Sequence, residues 1–404
     1  GFSAGWVISE EGFMQGVNGI DRLKLRGSWG QLGNDRMNAT NARLDEYQFA
    51  NNFGFGSGYI FNYNVLTTTI TQALYPVANP DITWEVANNS NLGLEGTVWG
   101  GKINFELDYF NNIRSQMLIA RNVSIPRTGG FDPPLQNIGK LRNRGFDFMV
   151  GYSSQAGALN FQVGLNGGYS KNEVIFADES PTIIEWQRQT GRPWDTRVMY
   201  KAIGVFNDQA EIDGYPHWAN ARPGDLIFED VNGDGIIDPN DMIRMENNTI
   251  PRFQGGFTLD MQYKGFDFNL LFQGATGARS YIRTQSGDFG NFLQDFADGR
   301  WTTENPNAEE PRTFNREDEY WVSQSNTYWF RKTDYLRLKN IQLGYTFPAT
   351  LVEKVSMKSA RLYVNAINLF TIDDFKVFDP ETDNQDGTVY PQKKTFNVGV
   401  NVTF

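Results

Sequence analysis

The chain has 404 residues, a formal net charge of −11, no cysteine and one histidine. Those counts exclude a disulfide framework, a thiolate metal site and a cysteine nucleophile, and they argue against a histidine-based zinc site or a Ser-His-Asp triad. The negative charge argues against a phosphate-backbone partner, so no nucleic acid is expected. Aromatics make up 14% and there are 41 Gly, yet only 40% of residues are hydrophobic and mean hydropathy is −0.48. No stretch approaches the ~18 consecutive apolar residues of a membrane helix, whereas a membrane β-barrel needs only alternate residues apolar.

The amino terminus, GFSAGWVISEEGF, has no basic region or cleavage pattern of a signal peptide. Phe2 to Ile8 reads as a strand tail, and the chain is expected to be a carboxy-terminal piece of a longer polypeptide. Leu23 to Trp29 alternates, with Leu23, Leu25, Gly27 and Trp29 opposing Lys24, Arg26 and Ser28. From Gln31 to Pro80 the sequence is rich in Asn, Thr and Tyr with no helical period, which suits a long external barrel loop better than a compact soluble domain.

Ile82 to Val98 and Lys102 to Leu118 form a predicted hairpin turned at Trp99-Gly100-Gly101, and Arg144 to Ser154 pairs with Leu159 to Ser170 in a second. A third joins Phe257–Tyr263 to Phe266–Phe272 through Lys264-Gly265. Strands then fall at Tyr335 to Phe347 and Arg361 to Phe370, with a bulge expected where the apolar phase switches between Leu338 and Ile341. The last segment, TFNVGVNVTF, puts Phe396, Val398, Val400, Val402 and Phe404 on one face and Asn397, Gly399, Asn401 and Thr403 on the other. About twelve strands result, short turns alternating with long loops. The predicted fold class is all-β, an antiparallel transmembrane β-barrel, with Glu106, Asp108, Asp147, Gln162, Asn166, Asp260, Asp267, Asn269 and Gln273 lining a wet lumen. The rival architecture is a soluble sandwich in which that face meets bulk water.

The sharpest motif is Asp230-Val-Asn-Gly-Asp-Gly-Ile-Ile-Asp-Pro-Asn-Asp241. Oxygen donors fall at the spacing of a calcium loop: Asp230, Asn232, Asp234, the backbone carbonyl of Ile236, Asp238 and Asp241, with Gly235 at the sharp turn. The last position is Asp rather than Glu, and an Asx-rich turn without metal is the competing reading. A structural Ca2+ is expected here. Asp379 to Gly387 has irregular acidic spacing and reads as a solvated turn, as His217 reads as a solvated loop residue. Trp186, Trp194, Trp218, Trp301, Trp321 and Trp329 are candidate substrate contacts, weighed against an interfacial girdle or plain loop packing. No catalytic constellation is visible, and the chain is not expected to be an enzyme.

Read together, GWVISEEGF, LKLRGSWGQLGN, NPDITWE, NIGKLRNRGFDF, PGDLIFEDVNGDGIIDPND, YKGFDFNLLFQGATG, DYLRLKNIQLGYTFP, NAINLF and YPQKKTFNVGVNVTF resemble, in order, the SusC/RagA-type TonB-dependent transporters of Bacteroidetes outer membranes. The resemblance implies a plugged barrel of about 22 strands, of which residues 1–404 would be the carboxy-terminal portion, without plug or TonB-contacting segment. It also implies import of oligosaccharides or peptides energised through TonB, with a SusD-like surface lipoprotein as lid. A secreted or surface calcium-stabilised β-protein that binds glycans or mediates adhesion is the alternative.

Overall fold

A computed structural model describes residues 1–37, 42–43, 49–50, 53–55, 72–74, 78–121, 123, 134–282, 294–312, 326–382, 389–390 and 392–404. Eleven strands form one sheet: β1 (Phe2–Val7), β2 (Ile20–Asn34), β3 (Glu85–Val98), β4 (Ile103–Ala120), β5 (Leu135–Ala156), β6 (Leu159–Phe176), β7 (Phe253–Tyr263), β8 (Phe266–Thr276), β9 (Tyr335–Thr346), β10 (Ser359–Asp373) and β11 (Thr395–Thr403). Each strand pairs antiparallel with its sequence neighbour, so order along the sheet is order along the chain. The three predicted hairpins are present. Lys264 and Gly265 have φ of 45° and 88°, the left-handed pair that a two-residue turn needs to match strand twist.

The predicted bulge is also present. Leu271 and Phe272 are consecutive in β8, but their β9 partners Asn340 and Leu338 are separated by Lys339. Opposite it in β10, Asn368 takes φ 53°. The extra residue resets the alternation, so Arg337 comes opposite Gln273, and Leu336 and Leu338 lie opposite Ile372 and Phe370.

Register puts the apolar residues of neighbouring strands side by side: Leu25, Leu94, Leu107 and Phe148 run across β2 to β5, and Leu165, Phe257, Phe272 and Leu338 across β6 to β9. This face stands open. Phe396 is 69% exposed, Val398 76% and Val400 62%. Burying such a face is worth ~25 cal/mol per Å2, so bulk water is not its resting environment. A sandwich would cover it with a second sheet, but the other sheets among the described residues are ladders of two to four residues per strand. No helix among those residues is long and apolar enough to cross a membrane, which leaves strands unaffected.

The buried core lies in the long connections instead. Tyr200, Val205, Trp218, Leu226, Phe228 and Ile237 from the β6–β7 connection pack with Ile282, Phe296 and Trp329 from the β8–β9 connection and Phe375 from the β10–β11 connection. Short ladders frame it: Ala202–Val205 with Leu226–Phe228, and Arg279–Tyr281 with Phe330–Lys332. Tight turns join β3 to β4, β5 to β6 and β7 to β8 at one rim, and the three connections that supply the buried core stand on the other.

Several strands run longer than expected, and three starts show why boundaries depart from expectation. β5 starts at Leu135 rather than Arg144, because its first half carries Lys140, Arg142 and Arg144 where apolar residues would have marked a strand. β7 starts at Phe253 rather than Phe257, where Gly255 interrupts the alternation. β3 starts at Glu85 rather than Ile82, because Asn79 holds the preceding residues in a turn, accepting from Asp81 N–H and donating to Leu135 O at 2.8 Å.

Candidate functional site

The polar face of the sheet carries two hydrogen-bonded clusters of charged and amide side chains. Arg26 of β2 reaches across two strands. Its Nη2 donates to Asp108 Oδ2 at 2.6 Å and to Glu106, and its Nε lies 3.4 Å from Glu95 Oε2, while Lys24 Nζ donates to Glu95 Oε1 at 3.0 Å. Gly93 lies beneath this hub, where a Cβ would come within 2.7 Å of both Arg26 Nε and Asp108 Oδ1, so only glycine lets the charges lie flat. Further along, Asn269 donates to Asp260 at 2.5 Å, Asn340 donates to Asn269 at 2.8 Å, and Arg361 Nε donates to Asp267 at 2.8 Å. A cavity of about 660 Å3 opens on the wall, lined by Glu106, Asp108, Asp147, Asn166, Gln254 and Gln273 among others. Alternation alone brings these carboxylates and amides to one surface, as the sequence predicts.

At the loop end of this face a tether stands that the sequence does not announce. Arg337 is 3% exposed and donates to Thr371 Oγ1 at 2.8 Å, Asp379 Oδ1 at 2.8 Å and Glu381 Oε2 at 2.7 Å. Glu381 also accepts from Tyr335 Oη, Lys339 Nζ and Gln392. Burial pushes both carboxyls up, but hydrogen bonds outweigh it and hold them below the usual carboxylate range: Arg337 on Asp379, and Lys339 and Tyr335 on Glu381. Asp379 and Glu381 are therefore not a solvated turn. They pin the β10–β11 connection against β9, while Phe375 inserts into the loop core. The remainder of the expected turn, 383–387, lies outside the described residues. The signal in the sequence was Arg337 itself, a charge inside an apolar strand run.

The 230–241 loop is closed by Asx-type bonds. Asp230 accepts from the N–H of Gly233 at 2.7 Å and of Gly235 at 2.9 Å, Asn232 from Asp234 N–H, and Asp234 from Ile236 N–H. Asp238 caps the short helix Pro239–Asp241, and fully buried Asp241 accepts from the N–H groups of Val231 and Asp238. Gly233 and Gly235 take φ 72° and 83°, as the sharp turn requires. No three Asp, Glu or His side chains among the described residues converge as a metal cage. The donor set fits a calcium loop chemically, and each carboxylate retains lone pairs beyond those facing N–H groups.

The tryptophans separate. Trp218 is 4% and Trp329 6% exposed, and Trp218 packs on Phe228 at 5.2 Å and Trp329 on Phe296 at 5.8 Å. Their rings are taken up by the loop core, for an aromatic cluster in sequence is also what a loop body needs to hold itself together. Trp301 is half-buried and donates to Asn207 O at 3.1 Å, and Trp186 donates to Asn240 O at 2.7 Å, tying its segment to the 230–241 loop. Trp194 is 43% exposed. Trp321 lies outside the described residues. His217 is exposed, with Nδ1 3.2 Å from Tyr215 O, as a solvated loop residue would be.

A single up-and-down sheet with an open apolar face, a charged face and large loops on one rim is the wall of an outer-membrane barrel. The family profile described as TonB dependent receptor-like, beta-barrel matches residues 15–369. The chain belongs to the TonB-dependent receptor β-barrel family. TonB-dependent receptor P26 of Formosa agariphila is 30% identical over 100% of this chain and 42% of its own length, and TonB-dependent receptor SusC of Bacteroides thetaiotaomicron is 26% identical over 99% and 39%. The receptor chain thus spans about two fifths of the curated relatives it matches. In fold it superposes on a chain of the structure titled "RagAB peptide importer in the 'open-open' state", with TM-score 0.69, 22% identity, and coverage of 100% of this chain and 42% of that one. The open apolar face of this receptor is accordingly the one that meets outer-membrane lipid.

Proposed function

We propose that this chain is the carboxy-terminal barrel portion of a SusC-type active importer, completed by a plug and further strands to about 22. It takes up oligosaccharides or peptides under a SusD-like surface lipoprotein, energised through TonB. The observation that carries the reading is the two-faced sheet of a TonB-dependent receptor with a packed external loop body beside a polar wall. The chain's own part is passive. Its apolar face is compatible with acyl tails, its charged face keeps a wet passage, and its loops present a shaped rim to cargo and lid. Three things test this in the native host: affinity purification of the full-length protein, an uptake assay with defined oligosaccharides and peptides, and the same assay with a proton-gradient uncoupler. A co-purifying surface lipoprotein and uptake abolished by the uncoupler are expected. Uptake that persists without the gradient removes the reading.

The 230–241 loop supports a second element of the proposal, a structural Ca2+ held by Asp230, Asn232, Asp234, the Ile236 carbonyl, Asp238 and Asp241. The ion would fix the loop that Trp186 and Gln187 grip from the neighbouring segment. Native mass spectrometry of the full-length protein should show a bound calcium that Asp230→Ala/Asp234→Ala loses, with faster proteolysis of the loop. If loop proteolysis is unchanged in chelator, the calcium role fails.

A further inference from the structure

One surface of the molecule runs against its charge. On the outward face of β5 and β6 the apolar run ends at Phe146 and Tyr169, which are Cα partners with rings stacked at 5.7 Å. Phe148 lies beside Phe146 at 6.4 Å and reaches Phe253 of β7 at 6.5 Å, extending the aromatic ledge. Toward the loop rim the next residues on the same face are Arg144 opposite Lys171 and Arg142 opposite Glu173, and beyond the register shift between Val174 and Phe176 comes Lys140 opposite Phe176. Asn111, opposite Arg144, and Ser90, opposite Asn111, continue the polar level onto β4 and β3. Four cations and one carboxylate, Glu173, thus lie on this stretch of β5 and β6, in a chain whose net charge is −11. That carboxylate, Glu173, stands 3.8 Å from Arg142 and 3.9 Å from Arg144, too far for a tight pair. Arg144 keeps half of its side-chain surface open.

The position of this patch decides its partner. Arg144 is one outward step, about 7 Å along the strand, beyond the aromatic ledge that ends the lipid-facing band. Guanidinium and ammonium groups at that level meet the headgroup layer of the outer leaflet, and arginine matches phosphate oxygens in a two-pronged geometry. The rigid sheet sets their spacing, so little ordering is required on binding. We propose that Lys140, Arg142, Arg144 and Lys171 form a binding site for a phosphate-bearing lipid headgroup of the outer leaflet, whose acyl chains lie along Phe146, Phe148 and Tyr169. The site lies on the outside of the wall, remote from the passage, and anchors the receptor in its leaflet whatever the cargo.

The test uses the full-length receptor in neutral detergent, with thermal stability and native mass spectrometry as readouts. Diphosphorylated lipid A in mixed micelles should raise the midpoint of unfolding and add a lipid adduct. Micelles of the dephosphorylated lipid should do neither, and inorganic phosphate at the same phosphate concentration should leave the midpoint unmoved. Arg142→Gln/Arg144→Gln/Lys171→Gln should match the parent without lipid and lose most of the adduct and shift with it. Lys102→Gln, at the opposite rim, should bind as the parent does. Equal adduct formation by the triple variant overturns the proposal. A shift produced equally by inorganic phosphate overturns it in favour of a free-anion site, and one produced equally by the dephosphorylated lipid reduces it to the apolar ledge.

Discussion

At the scale of single residues, Arg337 ties three elements together. It is buried between Thr371, Asp379 and Glu381, and it joins a loop to the wall. Removing one member of a buried pair leaves an uncompensated charge and costs on the order of 3 kcal/mol. Arg337→Met should therefore release residues 374–382, read as faster amide exchange confined to that segment. The pH dependence follows from the lowered carboxyls of Asp379 and Glu381. A group whose folded pKa is depressed adds stability that is complete above its unfolded value, near 4, and that is lost as pH falls through the lower folded value. The tether should be at full strength at neutral pH and open only in acid below about 4. Exchange in residues 374–382 that rises between pH 8 and 6 would contradict this origin.

At the scale of elements, the Lys339 bulge decides which face half a strand presents. Side chains in a strand have a period of two, so one residue more or less inverts everything beyond it. Deleting Lys339 should turn Arg337 toward the outside and Leu336 toward the wet face, breaking the tether and placing a charge in the apolar band. Folding into lipid vesicles, scored by heat-modifiable mobility on gels, should fall well below that of the parent, whereas Lys339→Ala should fold normally. A deletion variant that folds as well as the parent would mean that the strand slips without penalty. The same periodicity made the bulge legible beforehand, because the switch between Leu338 and Ile341 is visible in the sequence. The first half of β5 was not legible: with Lys140, Arg142 and Arg144 outward, no alternation separates it from a loop. The tether was equally hidden, because Asp379 and Glu381 gain their meaning from Arg337, which is distant in sequence.

For the whole molecule, hydrophobic content is divided between two unlike surroundings. Strand residues such as Val398 and Val400 stand open to lipid, whereas Phe206, Phe228 and Phe330 are fully enclosed in the connections. A cation at the bilayer midplane of a barrel strand costs ~2–4 kcal/mol, while wet-face substitutions are tolerated. Val398→Lys should therefore lower stability in lipid vesicles by about that amount and Asn397→Lys by far less, although the two residues are adjacent; equal losses would remove the assignment of faces. What the sequence determined by itself was the kind of object: strands, hairpins, bulge and two faces. Each is a local matter of period two or of spacing within a dozen residues. What only the tertiary structure decided was which loop aromatics are core, which acidic residues are paired and where cations gather beyond the apolar band. Those outcomes depend on residues that are far apart in the chain and that register and packing bring together, which local pattern does not encode.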